Sequence, residues 1–114
     1  MIQLRFLTPI TVSPNPRVGK PVILEATVTN RATRDAYDAG MMMFLTVPNR
    51  WGGRDTREVG EAHRTFDLPA GKSMRVSTSW TPTEAQDFEV WLSVYPYRDP
   101  HMRNVLRKTF VRVR

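Results

Sequence analysis

The chain of 114 residues has no cysteine, which removes disulfides, thiolate nucleophiles and cysteine metal ligands from consideration. It has no apolar run near the roughly 20 residues that a membrane-spanning helix requires, so no membrane partner is expected. No segment carries a sustained apolar stripe of helical period, and residues 83–86 make at most one helical turn. Histidine is scarce. His63 and His101 are the two side chains that titrate near neutrality unperturbed, and neither stands at a metal-ligand spacing. No nucleophile elbow surrounds a serine, the carboxylates are scattered, and Gly52-Gly53 belongs to no phosphate-binding glycine pattern. These absences exclude most enzymes, so no catalytic residue, cofactor or metal is expected.

What is present describes a globular β protein. Forty per cent of the residues are apolar and 25% are charged, a composition that folds around a core. The length suits one domain spanning residues 1–114. Val22, Leu24, Ala26 and Val28 alternate with more polar neighbours, as do Met74, Val76, Thr78 and Trp80, and Phe88, Val90, Leu92 and Val94. Period two over eight or more residues marks a strand with one buried face. Thr109, Val111 and Val113 repeat the pattern near the C-terminus. Three further strands read less cleanly. Residues 3–13 contain Pro9, which marks an edge strand or a change of sheet. Residues 41–47 are apolar on both faces and read as a central strand, while residues 57–66 read as a short edge strand. About seven strands separated by turn signals predict an all-β antiparallel sandwich of immunoglobulin type. Its core is expected to contain Leu24, Val28, Val76, Trp80, Val90, Leu92 and Val111.

The stretch from Asn15-Pro16 through Gly19-Lys20-Pro21-Val22 to Val28-Thr29-Asn30 resembles the second-strand signature of bacterial Ig-like domains of the CARDB type. Leu68-Pro69-Ala70-Gly71-Lys72-Ser73, leading to Ser79-Trp80-Thr81-Pro82, is similar to their central turn and fifth strand. The resemblance covers about residues 10–95 and implies an Ig-like sandwich acting as an adhesive or spacer module. The chain departs from that pattern at Arg31-Ala32, where a glycine is usual, and in its basic final strand, where the family is acidic and Asn-rich.

Two features point to a partner. The first is aromatic. With both faces of 41–47 apolar, part of that strand needs cover from a loop or another chain. Phe44 and the outward-facing Trp91 and Tyr95 are expected to form one patch where the third and sixth strands pair. Trp51, in a loop from 48 to 57 with Arg50, Arg54 and Arg57, is either tucked back or offered to a partner. The second feature is charge. Seventeen basic residues against 11 acidic ones give a net +6, and Arg98, Arg103, Arg107, Lys108, Arg112 and Arg114 sit in the last 17 residues against Asp99 alone. Arginine suits bidentate contact with carboxylate or phosphate, and a charged edge strand also resists aggregation.

The expected interface residues are therefore Phe44, Trp51, Arg54, Trp91, Tyr95, Arg107, Arg112 and Arg114, and the expected partner is a protein with an acidic surface. Three roles remain open. One is a structural protein docked on a larger assembly, such as the capsid or tail lattice of a bacterial virus. Another is an exported adhesion or carbohydrate-associated module. The third is a non-specific nucleic-acid binder, for which no RNA- or DNA-binding motif is found. Because Met1 to Pro9 contains no basic segment leading into a long apolar one, the expected location is a virion or the cytoplasm, or the cell exterior if an upstream signal has been removed.

Overall fold

A computed structural model describes residues 4–95 and 105–114, without the side chains of Asp38 and of residues 60–65. The described residues form eight strands: β1 (Leu4–Phe6), β2 (Thr11–Val12), β3 (Val22–Asn30), β4 (Ala36–Pro48), β5 (Arg54–Leu68), β6 (Ser73–Trp80), β7 (Asp87–Tyr95) and β8 (Val105–Arg112). In one sheet, β3 lies between β6 and the collinear pair β1 and β2. The second sheet runs β5-β4-β7-β8, and every pairing is antiparallel.

The alternation read from the sequence explains why the two sheets close on each other. Val22, Leu24, Ala26 and Trp80 of the first sheet pack against Met43, Leu45, Phe88, Val90, Leu92 and Val111 of the second. Trp80 meets Phe88 edge to face, with centroids 5.6 Å apart. All seven expected core positions are buried. Each such aliphatic side chain contributes about 1.5–3 kcal/mol by leaving water. A neighbouring cluster around Leu4, Val28, Met41, Leu68 and Val94 fills the other end of the sandwich, and Phe6 packs against both clusters.

Eight strands replace the expected seven because Pro9 splits the first one. Phe6 pairs with Val28 and Thr11 with Glu25, so both pieces stay at the same edge of the first sheet. The crossing to the second sheet comes later, at Pro14-Asn15-Pro16, where Asn15 takes a φ of 55°. There Arg114 brackets Arg17, donating to Pro16 O and accepting from Val18 N, both at 3.1 Å, as in a parallel pair.

The edge strand expected over 57–66 is also larger than read: β5 has 15 residues. Its apolar alternation is poor because it carries a bulge. Between the pairs Met43↔Val59 and Met41↔Arg64, four residues of β5 oppose Met42 alone, which throws the side-chain phase out of step.

Asn30, the last residue of β3, is fully buried and ties three segments together. Its Nδ2 donates to Arg34 O at 2.7 Å and to Leu68 O at 3.1 Å, while its Oδ1 accepts from Ala32 N at 3.1 Å. The turn after Leu68 closes from Lys72 N to Pro69 O at 3.1 Å, with Gly71 at φ 72°, a value side-chain-bearing residues rarely take. Beside it, Asp35 accepts from Ala70 N at 2.8 Å and from the Tyr37 hydroxyl at 2.9 Å. These two donors hold the Asp35 carboxyl below its ordinary value, and the same bond raises the Tyr37 phenol.

Candidate functional site

The outer faces of the two sheets differ in character. On the first, β3 and β6 present Ile23, Glu25 and Thr27 beside Arg75, Ser77 and Ser79, with Arg75 3.8 Å from Glu25. The second sheet's outer face is aromatic. Cross-strand register sets Glu58, Phe44, Trp91 and Lys108 in one row, and Thr56, Thr46, Glu89 and Phe110 in the next. Phe44 and Trp91 stack, with rings 8° from parallel and centroids 6.2 Å apart. The Lys108 ammonium lies over Trp91 at 5.4 Å and over Phe110 at 5.6 Å, an attraction to both ring faces.

Glu89 is enclosed by this arrangement. Burial works to raise its carboxyl, but the Trp91 indole N–H, donating to Oε1 at 2.8 Å, together with the charges of Arg54 and Lys108, holds it below the ordinary value. Arg54 is 3.4 Å from Glu89. It opens strand β5, so the loop expected to run from 48 to 57 is in fact a short hairpin tip.

That tip holds Trp51 away from the sandwich. Asn49 organises it: its Oδ1 accepts from Trp51 N at 3.0 Å and Gly53 N at 2.9 Å, and its Nδ2 donates to Asp55 Oδ1 at 2.9 Å. Asn49 N also donates to Gly53 O at 2.9 Å, and Gly52 takes φ 82°. Trp51 is 85% exposed. Of the two readings left open by the sequence, the structure has the indole offered to solvent on an ordered turn.

Two expected interface residues are placed otherwise. Tyr95 follows the outward parity of β7 but is 0% exposed. Its cross-strand partner is Gly40, and a Cβ there would overlap the Tyr95 ring. The missing side chain lets the ring fold down over β4, so Tyr95 supports the sheet and offers no contact area. Burial, with Glu58 nearby, pushes its phenol up. Arg107 is the second correction. It pairs with the buried Leu92 and so points inward, where its guanidinium covers the Phe6 ring at 5.7 Å and donates to Phe6 O at 3.4 Å. It closes the rim between β1 and β8.

Arg112 and Arg114 are exposed. Arg112 Nε donates to Asp87 Oδ1 across the strands at 2.9 Å, a contact that raises the guanidinium further and keeps it charged. With Arg17, Asn15 and Pro16, the two arginines line an open cleft of about 330 Å³. Arg98, Arg103 and His101 lie outside the described residues, as does the side chain of His63. Among the described residues, no three His, Asp or Glu side chains stand together as a metal site would require.

Sequence reading missed Leu106 and Phe110, which are 47% and 69% exposed on the outer face of β8. Their signal was available: both alternate with inward-facing residues, yet both are apolar on a basic strand.

Neither a family model nor a curated protein matches the sequence. Solved structures do match in fold. The CARDB domain of the PF1109 protein from Pyrococcus furiosus, crystallised in complex with di-metal ions, superposes with a TM-score of 0.64 at 15% identity, over 99% of this chain and 89% of that one. A β-glucosidase from Listeria innocua matches with a TM-score of 0.64 at 14% identity, and a family GH3 β-glucosidase from Bifidobacterium adolescentis with 0.66 at 15%. They match over 99% and 98% of this chain, which spans only 16% and 17% of theirs. The chain is an immunoglobulin-like β-sandwich with the CARDB fold, as the turn sequences implied.

Proposed function

We propose that this chain is a non-catalytic docking module. Its working surface is the outer face of β5-β4-β7-β8 together with the hairpin tip. The observation that carries the reading is Trp51, fully offered on a turn that Asn49 holds in shape. A large aromatic kept in water without packing against its own domain is typical of an anchor residue. Phe44, Trp91, Leu106 and Phe110 extend the apolar area, and Lys108, Arg54 and Arg112 favour an acidic protein surface.

The partner to test first is a repetitive assembly, such as the particle of a bacterial virus. The CARDB-like fold supports a non-catalytic module; the choice of particle rests on use of such sandwiches as stand-alone structural chains. Purified chain is sedimented with particles assembled without it. Wild type should co-sediment, Trp51→Ala should lose at least tenfold in affinity, and Arg75→Ala on the opposite sheet should bind like wild type. Equal binding by wild type and Trp51→Ala would remove the anchor assignment.

A second reading has one observation in its favour: the domains of like fold within the β-glucosidases. A carbohydrate-associated module would use the near-parallel Phe44 and Trp91 rings. Retardation in a β-glucan gel that Trp91→Ala abolishes would move this reading ahead.

A further inference from the structure

We infer that the free edge of β8 accepts an extended acidic segment of a partner protein, which pairs with it as an added strand. The inference rests on the docking reading above but uses main-chain groups that the aromatic surface does not.

The direction of the β8 main chain follows from one bond. Val113 N donates to Gln86 O at 2.9 Å, so Val113 turns its main chain toward β7. In an antiparallel ladder this direction alternates residue by residue. Val111, Thr109 and Arg107 therefore also face β7, while Leu106, Lys108, Phe110 and Arg112 turn their N–H and C=O groups away. Arg114 has the same parity as Arg112, and its N–H and C=O are taken by Pro16 and Val18. Among the described residues, no backbone pairs with the four positions before it. A continuous unpaired row of this kind is a template for another strand.

Charge selects the occupant. Residues 105–114 carry Arg107, Lys108, Arg112 and Arg114 and no acid. A second copy of β8 would bring like charges together. An acidic strand about 4.8 Å away would place alternate carboxylates beside Lys108 and Arg112. The cleft formed by Arg17, Arg112 and Arg114 continues the edge and adds guanidiniums for a further carboxylate. The intervening side chains of the added strand would point inward beside Val105 and Thr109, which are only half-buried. The fitting sequence therefore alternates acidic and small apolar residues.

The probe is the peptide acetyl-(Val-Glu)4-amide, followed by amide hydrogen exchange on the full chain. In the free protein the Leu106, Lys108, Phe110 and Arg112 amides should exchange at least tenfold faster than those of Arg107, Thr109 and Val111. Peptide should slow those four at least tenfold, and its version N-methylated at alternate residues should not. Lys108→Glu with Arg112→Glu should weaken binding at least tenfold. Slow exchange of the four amides in the free chain would overturn the inference, as would protection that grows with protein concentration, which marks a second copy. Equal binding of the N-methylated peptide or of a DNA dodecamer would do the same. Trp51→Ala should leave peptide protection unchanged. Failure of the peptide while Trp51→Ala still abolishes particle docking removes only the strand-addition inference, and the converse result removes only the docking reading.

Discussion

Asn30→Ala should be among the most damaging single polar substitutions in the domain. Among the described residues the side chain donates from Nδ2 to Arg34 O and Leu68 O and accepts at Oδ1 from Ala32 N, three hydrogen bonds that alanine removes. Each contributes about 0.5–1.5 kcal/mol net, and a partner left buried and unpaired adds about 1–3 kcal/mol. The bond to Leu68 O is buried, whereas those to Arg34 and Ala32 are partly open to water, so only one orphaned group carries the full penalty. The sum is about 2.5–7.5 kcal/mol. At about 4 °C per kcal/mol for a domain of this size, the melting temperature should fall by roughly 10–30 °C. Thermal unfolding followed by circular dichroism measures it. Asn30→Asp is the sharper control, because it is nearly isosteric yet loses both donations and sets a carboxylate against two carbonyls. It should be at least as destabilised as the alanine variant at neutral pH. An Asn30→Ala melt within about 2 °C of wild type, or an Asn30→Asp protein as stable as wild type, would refute the assignment of Asn30 as the joint between β3, the following loop and β5.

Three further outcomes are expected. Gly40→Ala should lower the melting temperature, because the new Cβ overlaps the Tyr95 ring, and Tyr95→Ala in the same chain should restore part of the loss; additive losses would show that the two residues do not meet. Deleting Phe110 to Arg114 should destabilise the whole domain, since Val111 and Val113 are buried; an unchanged melt would make this segment an appendage. Acid should weaken the fold through Asp35, whose carboxyl is held low by Ala70 N–H and the Tyr37 hydroxyl. The unfolded chain takes up that proton first, so the contribution is intact above about pH 4 and is lost as pH falls through the lowered native value. Melts across that range should fall more steeply for wild type than for Asp35→Asn, and parallel curves would show that the contact is not formed.

The apolar alternation along β3, β6, β7 and β8 was enough to determine the sandwich and its core. A strand buried on one face must alternate, and a one-residue slip would expose every core side chain. The turn chemistry was equally local, since Pro69-Ala70-Gly71 needs only a fixed φ and a glycine free to take a positive one. Parity also carried Trp91 and Phe44 to the outer face correctly. It misplaced Tyr95, because burial there depends on the residue across the strand, and Gly40 lies 55 positions earlier. Arg107 was misjudged for a similar reason: its side chain is taken by Phe6 at the far end of the chain. The length of β5 escaped notice because the bulge opposite Met42 broke its phase. Trp51 was undecidable from composition, because packing back and standing out use the same residues. The Asn49 hydrogen bonds decided it. Local periodicity thus specifies which face of a strand a residue occupies, while exposure on that face is set by neighbours that only the folded chain brings together.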